Sequence, residues 1–144
     1  MPFARISLLK GKPASYLKAL SDGIYQALVD AYEVPPTDCF QAIHQHSPEE
    51  LIFDRNYLSL NGPRSDDYVL ICITGGRERS KATKQAFYQR VVELLGASPG
   101  LRPQDIMIII NTTTSDDWSL SSGHMGIGQR ASINDATTEN RATT

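Results

Sequence analysis

The fold is decided by the first stretch of the chain, residues 1–8, which has the sequence MPFARISL. Apolar side chains follow Pro2 at Phe3, Ile6 and Leu8, and this pattern predicts a strand over residues 3–9. Proline is small enough that the initiator methionine before it is normally removed, so we expect the mature chain to begin with the secondary amine of Pro2. The strand would then hold this amine against a sheet. The alternative interpretation is that Pro2 merely starts an edge strand.

A chain-terminal amine can serve several catalytic roles near neutral pH. Its reference pKa is about 8, so modest burial or a neighbouring cation can favour either protonation state near neutral pH. Such an amine can act as an acid, a base or a nucleophile. Pro2 is therefore the first candidate catalytic residue.

Composition sets broad limits on what the protein binds. The 144 residues are 40% apolar and 21% charged, which predicts one globular domain, and the net charge of −2 gives no reason to expect nucleic acid or a membrane as partner. Cys39 and Cys72 lack disulfide or zinc-site spacing, and His44 and His46 lack a third ligand, so we expect no metal. No leader, membrane span or dinucleotide loop is recognisable. We therefore expect a cytoplasmic protein without a cofactor.

The chain repeats one plan of strand, helix and strand. The predicted strands cover residues 3–9, 39–45, 68–73 and 106–112, and the predicted helices run from Pro13 to before Val34 and from Ser80 to Leu95, where Gly96 closes the second. Residues 47–67 are predicted to connect the halves, with a short extended or hairpin piece around 51–53.

The two halves align with a constant shift of 67 residues. The matched pairs are Lys12 with Arg79, Leu20 with Phe87, Leu28 with Leu95, Pro36 with Pro103, and Asp38 with Asp105. We therefore predict an α/β domain over residues 2–126, with β-α-β repeats at 2–66 and 67–126, a four-stranded sheet and both helices on one face. Residues 127–144 contain few apolar side chains and are predicted to form a mobile tail.

Two of the predicted strands are too apolar for a sheet that helices cover on one face only. Residues 68–73 and 106–110 are apolar at successive positions, a pattern typical of strands covered on both faces. Because the chain supplies only two helices, we expect another copy of the chain to cover the rest, which predicts a homo-oligomer.

Several motifs resemble the tautomerase superfamily, and within it the malonate semialdehyde decarboxylase group. Besides the N-terminal proline and the repeat, they are Val34-Pro35-x-x-Asp38, Phe40-Gln41-x-Ile43-His44, Arg77-Glu78-Arg79, Lys84 through Phe87-Tyr88, and Asp117-Trp118-Ser119. The resemblance implies a homotrimer that acts on a small oxo acid. It implies catalytic roles for Pro2 and Asp38, and substrate-binding roles for Arg77, Arg79 and Trp118.

Each of these residues also has a structural interpretation. The segment from Arg77 to Arg79 fits a solvated charge run at a helix start, Trp118 fits a core or interface position, and Asp38 fits a turn residue, because Asp105 occupies the equivalent place in the other repeat.

Three function classes follow. The first is a cofactor-free lyase that decarboxylates malonate semialdehyde or a similar 3-oxo acid, with a hydratase side activity. The second is a tautomerase that enolises 2-oxo acids with Pro2 as general base, and the third is a non-catalytic interaction protein. A guanidinium suits a substrate carboxylate because it forms paired hydrogen bonds. For the electron sink, a protonated Pro2 and an iminium formed by neutral Pro2 both remain open.

Overall fold

A computed structural model describes residues 1–126 of the chain, and the predicted tail at 127–144 lies outside the described residues. Its elements are β1 (Pro2–Leu9), α1 (Ala14–Ala31), β2 (Gln41–His46), β3 (Val69–Gly75), α2 (Lys81–Ala97) and β4 (Ile106–Thr112), with short 3-10 turns at Pro103–Asp105 and Ser115–Asp117. None of the described helices is long and apolar enough to cross a membrane.

The sheet confirms the predicted fold. Its strand order is β2-β1-β3-β4, with β1 parallel to β2, β3 parallel to β4, and the two repeats joined by the antiparallel pair β1–β3. Alternate residues of β1 and β3, among them Ile6 and Ile71, are fully buried against helix residues such as Leu20 and Phe87. Both helices therefore lie on one face of the four-stranded sheet.

Neither α1 nor α2 covers the opposite face of the sheet. Cys72 of β3 points to this face and is partly buried, and its β4 neighbours Met107 and Ile109 remain 41% and 40% exposed. We call the residues of β1 to β4 on this side the open face.

An equivalent backbone hydrogen bond follows both helices. The backbone N–H of Val34 donates to the carbonyl of Leu28 at 3.3 Å, and the N–H of Leu101, 67 residues later, donates to the carbonyl of Leu95 at 2.9 Å. In each repeat the residue directly before the donor of this bond has the left-handed conformation. That residue is Glu33 in the first repeat, with φ 59°, and Gly100 in the second, with φ 101°.

Two boundaries differ from the predictions for a visible physical reason. The helix α2 passes through Gly96 to Ala97, because the left-handed turn that closes it lies at Gly100. β2 begins at Gln41 instead of Cys39, because Asp38 donates its N–H to the carbonyl of Pro35 in a turn.

The connecting segment also differs. No strand or hairpin forms around residues 51–53, so the prediction of a hairpin there is wrong. The segment is held instead by side chains: the ring of Phe53 stacks on Tyr68 with centroids 4.1 Å apart, and Arg55 pairs with Asp66 at 2.7 Å.

Candidate active site

The chain terminus is fixed at one end of β3. Pro2 is buried and pairs with Gly75 in the antiparallel ladder, and the N–H of Gly76 donates to the carbonyl of Met1 at 2.9 Å. These bonds hold the terminal amine where the chain leaves β3 and enters the segment that carries Arg77 and Arg79.

Asp38 approaches this terminus from the turn that precedes β2. Its Oδ2 lies 3.7 Å from the terminal nitrogen of Met1, and its side chain is only 14% exposed. Its other oxygen, Oδ1, is buried without a hydrogen-bond partner among the described residues. Asp105, its counterpart in the other repeat, accepts hydrogen bonds from the N–H and hydroxyl of Ser65 at 2.6 and 2.7 Å. The two aspartates occupy equivalent turns in the two repeats, but their carboxylates have different partners.

Burial dominates the electrostatics of this pair. It lowers the pKa of the terminal amine, and Arg79 and Arg77 lower it further, while attraction to Asp38 opposes the shift. Burial likewise raises the pKa of Asp38 against the attraction of the amine. Both groups are therefore shifted toward their neutral forms. The amine in this chain belongs to Met1, and removal of Met1 would transfer the terminus to the nitrogen of Pro2.

Arg79 is the buried member of the arginine pair, with a side chain only 2% exposed. Its Nε donates to the carbonyl of Tyr32 at 3.3 Å, its Nη1 donates to the carbonyl of Arg77 at 3.0 Å, and its guanidinium lies over the ring of Tyr32 at 4.7 Å. These contacts fix the plane of the guanidinium. Burial lowers the pKa of Arg79, and the charge of Arg77 adds to this effect.

Arg77 is exposed and is held by an acidic partner. Its side chain is 59% exposed, and its Nη2 donates to Oε2 of Glu33 at 2.7 Å. The same oxygen lies 3.8 Å from Nε of Arg79. Both guanidiniums therefore approach one carboxylate oxygen, that of Glu33.

Trp118 approaches from the open face. It lines a cavity of about 280 Å³ together with Phe3, Arg5, Thr74, Thr113 and Asp117. Its Nε1 donates to Oγ1 of Thr113 at 2.6 Å, and this hydroxyl donates to the carbonyl of Gly75 at 2.7 Å. Since Gly75 pairs with Pro2, Trp118 reaches the same end of β3 from the other side. The structure thus groups the terminus, Asp38, Arg77 and Arg79, and connects Trp118 to that group only through the backbone.

Two residues of the site escaped the sequence analysis, Tyr32 and Glu33. Tyr32 is fully buried, and its ring packs against that of Phe87 at a tilt of 46° with centroids 5.1 Å apart. The guanidinium of Arg79 lies over the ring of Tyr32 and donates to its carbonyl. The hydroxyl of Tyr32 has no hydrogen-bond partner in residues 1–126, and burial raises its pKa. A signal for Glu33 exists in the sequence, because the 67-residue shift aligns it with Gly100.

Residues 1–126 contain no group of three or more His, Cys, Asp or Glu side chains arranged to hold a metal ion. His44 and His46 stack with their ring centroids 6.4 Å apart.

Comparisons with known proteins identify the family. A family model described as "Tautomerase enzyme" matches residues 38–121, and a second model with the same description matches residues 2–61. The chain belongs to the tautomerase superfamily. It is 31% identical over 123 residues to the probable tautomerase YusQ of Bacillus subtilis (strain 168), which covers 85% of this chain and 95% of YusQ.

Solved structures agree with this membership of the tautomerase superfamily. Malonate semialdehyde decarboxylase, described for its decarboxylase and hydratase activities, is 27% identical, with a TM-score of 0.79 over 92% of this chain and 98% of its own. A fused 4-OT described as a symmetric trimer has a TM-score of 0.68 at 14% identity, over 85% of this chain and 94% of its own, and shows the shared fold.

Proposed function

We propose that this tautomerase superfamily enzyme is a cofactor-free carboxy-lyase that decarboxylates malonate semialdehyde or a similar small 3-oxo acid, with Pro2 as catalytic residue. One observation carries the proposal: two guanidiniums that approach a single carboxylate lie beside a partly desolvated terminal amine. The likeness to malonate semialdehyde decarboxylase supports the choice of substrate.

The arginine pair has the role of fixing the substrate carboxylate. Decarboxylation requires the breaking C–C bond to stand across the plane of the adjacent carbonyl or iminium. Two charged donors from different directions fix that orientation, whereas one positive charge does not. Arg79 supplies the rigid donor and Arg77 the exposed one.

Pro2 has the role of providing the electron sink. Burial, with help from Arg79 and Arg77, lowers the pKa of the terminal amine of Met1. We expect the Pro2 nitrogen to enter the same surroundings once Met1 is removed, and such surroundings favour a neutral nucleophile. The Pro2 nitrogen adds to the aldehyde carbon, and loss of water gives an iminium. The C–C bond to the carboxylate then breaks, CO2 leaves, and the electron pair forms an enamine. Protonation at carbon and hydrolysis release acetaldehyde and restore the amine.

Asp38 has the role of moving protons in these steps. Burial raises the pKa of Asp38, which makes its carboxyl group hold a proton more readily than an exposed aspartate, and its buried Oδ1 is available to a new donor. It can give a proton to the departing water and accept one when water attacks the iminium. The same water activation would produce a hydratase side activity.

The assembly we propose is a homotrimer in which the open face is covered by neighbouring subunits. Met107 and Ile109 on this face are too exposed for strand residues of an apolar sheet. Trp118 lies at the edge of this face, so we propose that it contributes to a substrate pocket completed by assembly.

A second candidate is a tautomerase that enolises 2-oxo acids. It is favoured by the same lowered pKa of the terminal amine, because a neutral amine is also a general base, and by the likeness to YusQ, a probable tautomerase. Enolisation needs carboxylate binding and a base but no iminium.

Trapping the amine tests the proposal. Mass spectrometry should first show that Met1 is absent. Incubation with malonate semialdehyde and cyanoborohydride should then leave an alkyl group on the Pro2 nitrogen, and untreated enzyme should release acetaldehyde. An extra residue ahead of Pro2 converts the amine to an amide and should abolish both results, while Pro2→Ala keeps a primary amine and should only impair them.

Two outcomes would contradict the lyase proposal. Efficient enolisation of phenylpyruvate without acetaldehyde release would show that the enzyme is a tautomerase. If the protein catalyses neither reaction, the non-catalytic interaction protein is the function class that is left.

A further inference from the structure

Glu33 occupies a backbone position that favours glycine. Its φ of 59° lies in the left-handed region, which costs an L-residue energy that glycine does not lose. The other repeat closes its helix with the same backbone bond and places Gly100 there. The backbone alone therefore gives no reason for a glutamate at this position, and its side chain must account for it.

The side chain of Glu33 is directed at the arginine pair. Its Oε2 accepts from Nη2 of Arg77 at 2.7 Å and lies 3.8 Å from Nε of Arg79. Glu33 and Arg77 are 56% and 59% exposed, so a dissolved acid can reach them. The hydrogen bond from Arg77 lowers the pKa of Glu33, and the carboxylate is ionised at neutral pH.

This arrangement limits the charge available to a ligand. Two guanidiniums carry two positive charges, and Glu33 balances one of them. A ligand with a single carboxylate completes the balance. A dicarboxylate brings a second negative charge close to Glu33, and like charges at short range repel.

We propose that Glu33 is a specificity-determining residue, a resident carboxylate on Arg77 that restricts the arginine pair to acids with a single carboxylate. The inference rests on the proposed function, because it assumes that this pair binds the substrate carboxylate. It predicts that the enzyme selects a 3-oxo monoacid against 3-oxo diacids of similar size.

Binding of two simple acids tests the inference without turnover. Titration calorimetry at low ionic strength would compare propanoate, a monoanion, with malonate, a dianion of similar length. Glu33→Gln keeps the shape of the side chain and removes its charge. It should strengthen malonate binding roughly fivefold relative to propanoate, the size expected for one exposed charge pair. High salt should reduce this gain because exposed charges are screened.

Two further variants make the test specific. Glu33→Gly should show the same change in selectivity together with a higher melting temperature, because glycine fits the left-handed backbone. Glu93→Gln removes an exposed carboxylate that pairs with Arg90 on α2, and it should leave the ratio unchanged.

Each result of these binding measurements supports or overturns the proposed role of Glu33. Malonate binding gained only in the Glu33 variants supports the inference. An unchanged ratio in both Glu33 variants, with wild-type protein binding propanoate, would overturn it and leave the proposed function intact. If neither acid binds to any variant, the arginine pair is no carboxylate site, and the proposed function fails with it.

Discussion

At the scale of single residues, Arg77 and Arg79 differ by environment although their side chains are identical. Arg79 is buried, with two donors on backbone carbonyls and its plane on the ring of Tyr32, whereas Arg77 is exposed and bound to Glu33. Packing and backbone contacts therefore fix the first guanidinium, whereas the second is held by the carboxylate of Glu33 alone among the contacts described above.

The arginine pair gives the first prediction. Arg79→Ala should reduce kcat/KM for decarboxylation about 100-fold or more, the loss of roughly 3 kcal/mol of transition-state stabilisation. Arg77→Ala should reduce it less. Arg90→Ala, which breaks pairs with Asp30 and Glu93 on the helices, should leave kcat/KM unchanged. Steady-state kinetics with acetaldehyde detection would measure all three variants. Equal losses for Arg77→Ala and Arg79→Ala would contradict the expectation that the buried arginine contributes more than the exposed one.

Asp38 gives a prediction on stability and pH. Because its pKa is raised in the folded protein, the folded state binds more protons at Asp38 than the unfolded state between the ordinary value, about 4, and the raised one. The free energy of unfolding therefore falls as pH rises through this interval. Relative to Asp38→Asn, the wild-type protein should have its full advantage in stability below about pH 4 and should lose this advantage as pH rises through the raised pKa of Asp38, as measured by urea unfolding.

Asp30 supplies a control of opposite sign. Hydrogen bonds from Gln26 and Arg90 lower its pKa, so its contribution to stability is present above the ordinary value and lost as pH falls below about 4. Wild-type protein should therefore lose stability relative to Asp30→Asn on acidification. The same slope for both variants would show that the Asp38 effect is not local.

At the scale of elements, the sequence predicts the helices and strands because periodic apolar positions specify which face is buried. The ends depend on backbone conformations that residue type indicates less well. Gly96 resembles a helix end, yet the left-handed turn lies at Gly100 and, in the first repeat, at a glutamate. The segment 47–67 follows no period because contacts distant in sequence hold it, such as that of Phe53 with Tyr68.

The same distinction applies to the site. Pro2, Asp38 and the arginine pair stand in motifs that the sequence shows. Glu33 contacts Arg77, which is 44 residues away in the sequence, and Tyr32 contacts Arg79, which is 47 residues away. No local sequence pattern indicates such contacts.

The start of α2 gives a prediction at this scale. Ser80 caps the helix directly after Arg79, and its Oγ accepts from the N–H of Thr83 at 3.1 Å. Ser80→Ala should cost about 1 kcal/mol of unfolding free energy and loosen Arg79, whereas Ser80→Asp should retain most of both, because aspartate caps equally well. Urea unfolding and propanoate affinity would measure the effects. Full stability of Ser80→Ala would show that the cap contributes nothing.

At the scale of the whole molecule, a sheet with helices on one side exposes apolar strands on the other. The described chain buries one face of its sheet under α1 and α2 and leaves Met107 and Ile109 of the open face about two-fifths exposed. Water contact with such a surface is unfavourable in proportion to its apolar area, so covering it with another copy of the chain would be favourable.

This open face gives the last prediction, that the protein forms a trimer of about 48 kDa, three times the 15.9 kDa chain. Ile109→Glu places a charge on the open face and should dissociate the trimer, because an unpaired carboxylate buried in an apolar interface is costly. Ala86→Glu adds the same charge to the exposed side of α2 and should leave the trimer intact. Removal of residues 129–144 should also preserve it, since that segment has few apolar side chains to bury. Sedimentation velocity at micromolar concentration measures the mass of each variant. A wild-type monomer would remove the shared pocket, and a trimer unaffected by Ile109→Glu would place the interface elsewhere on the molecule.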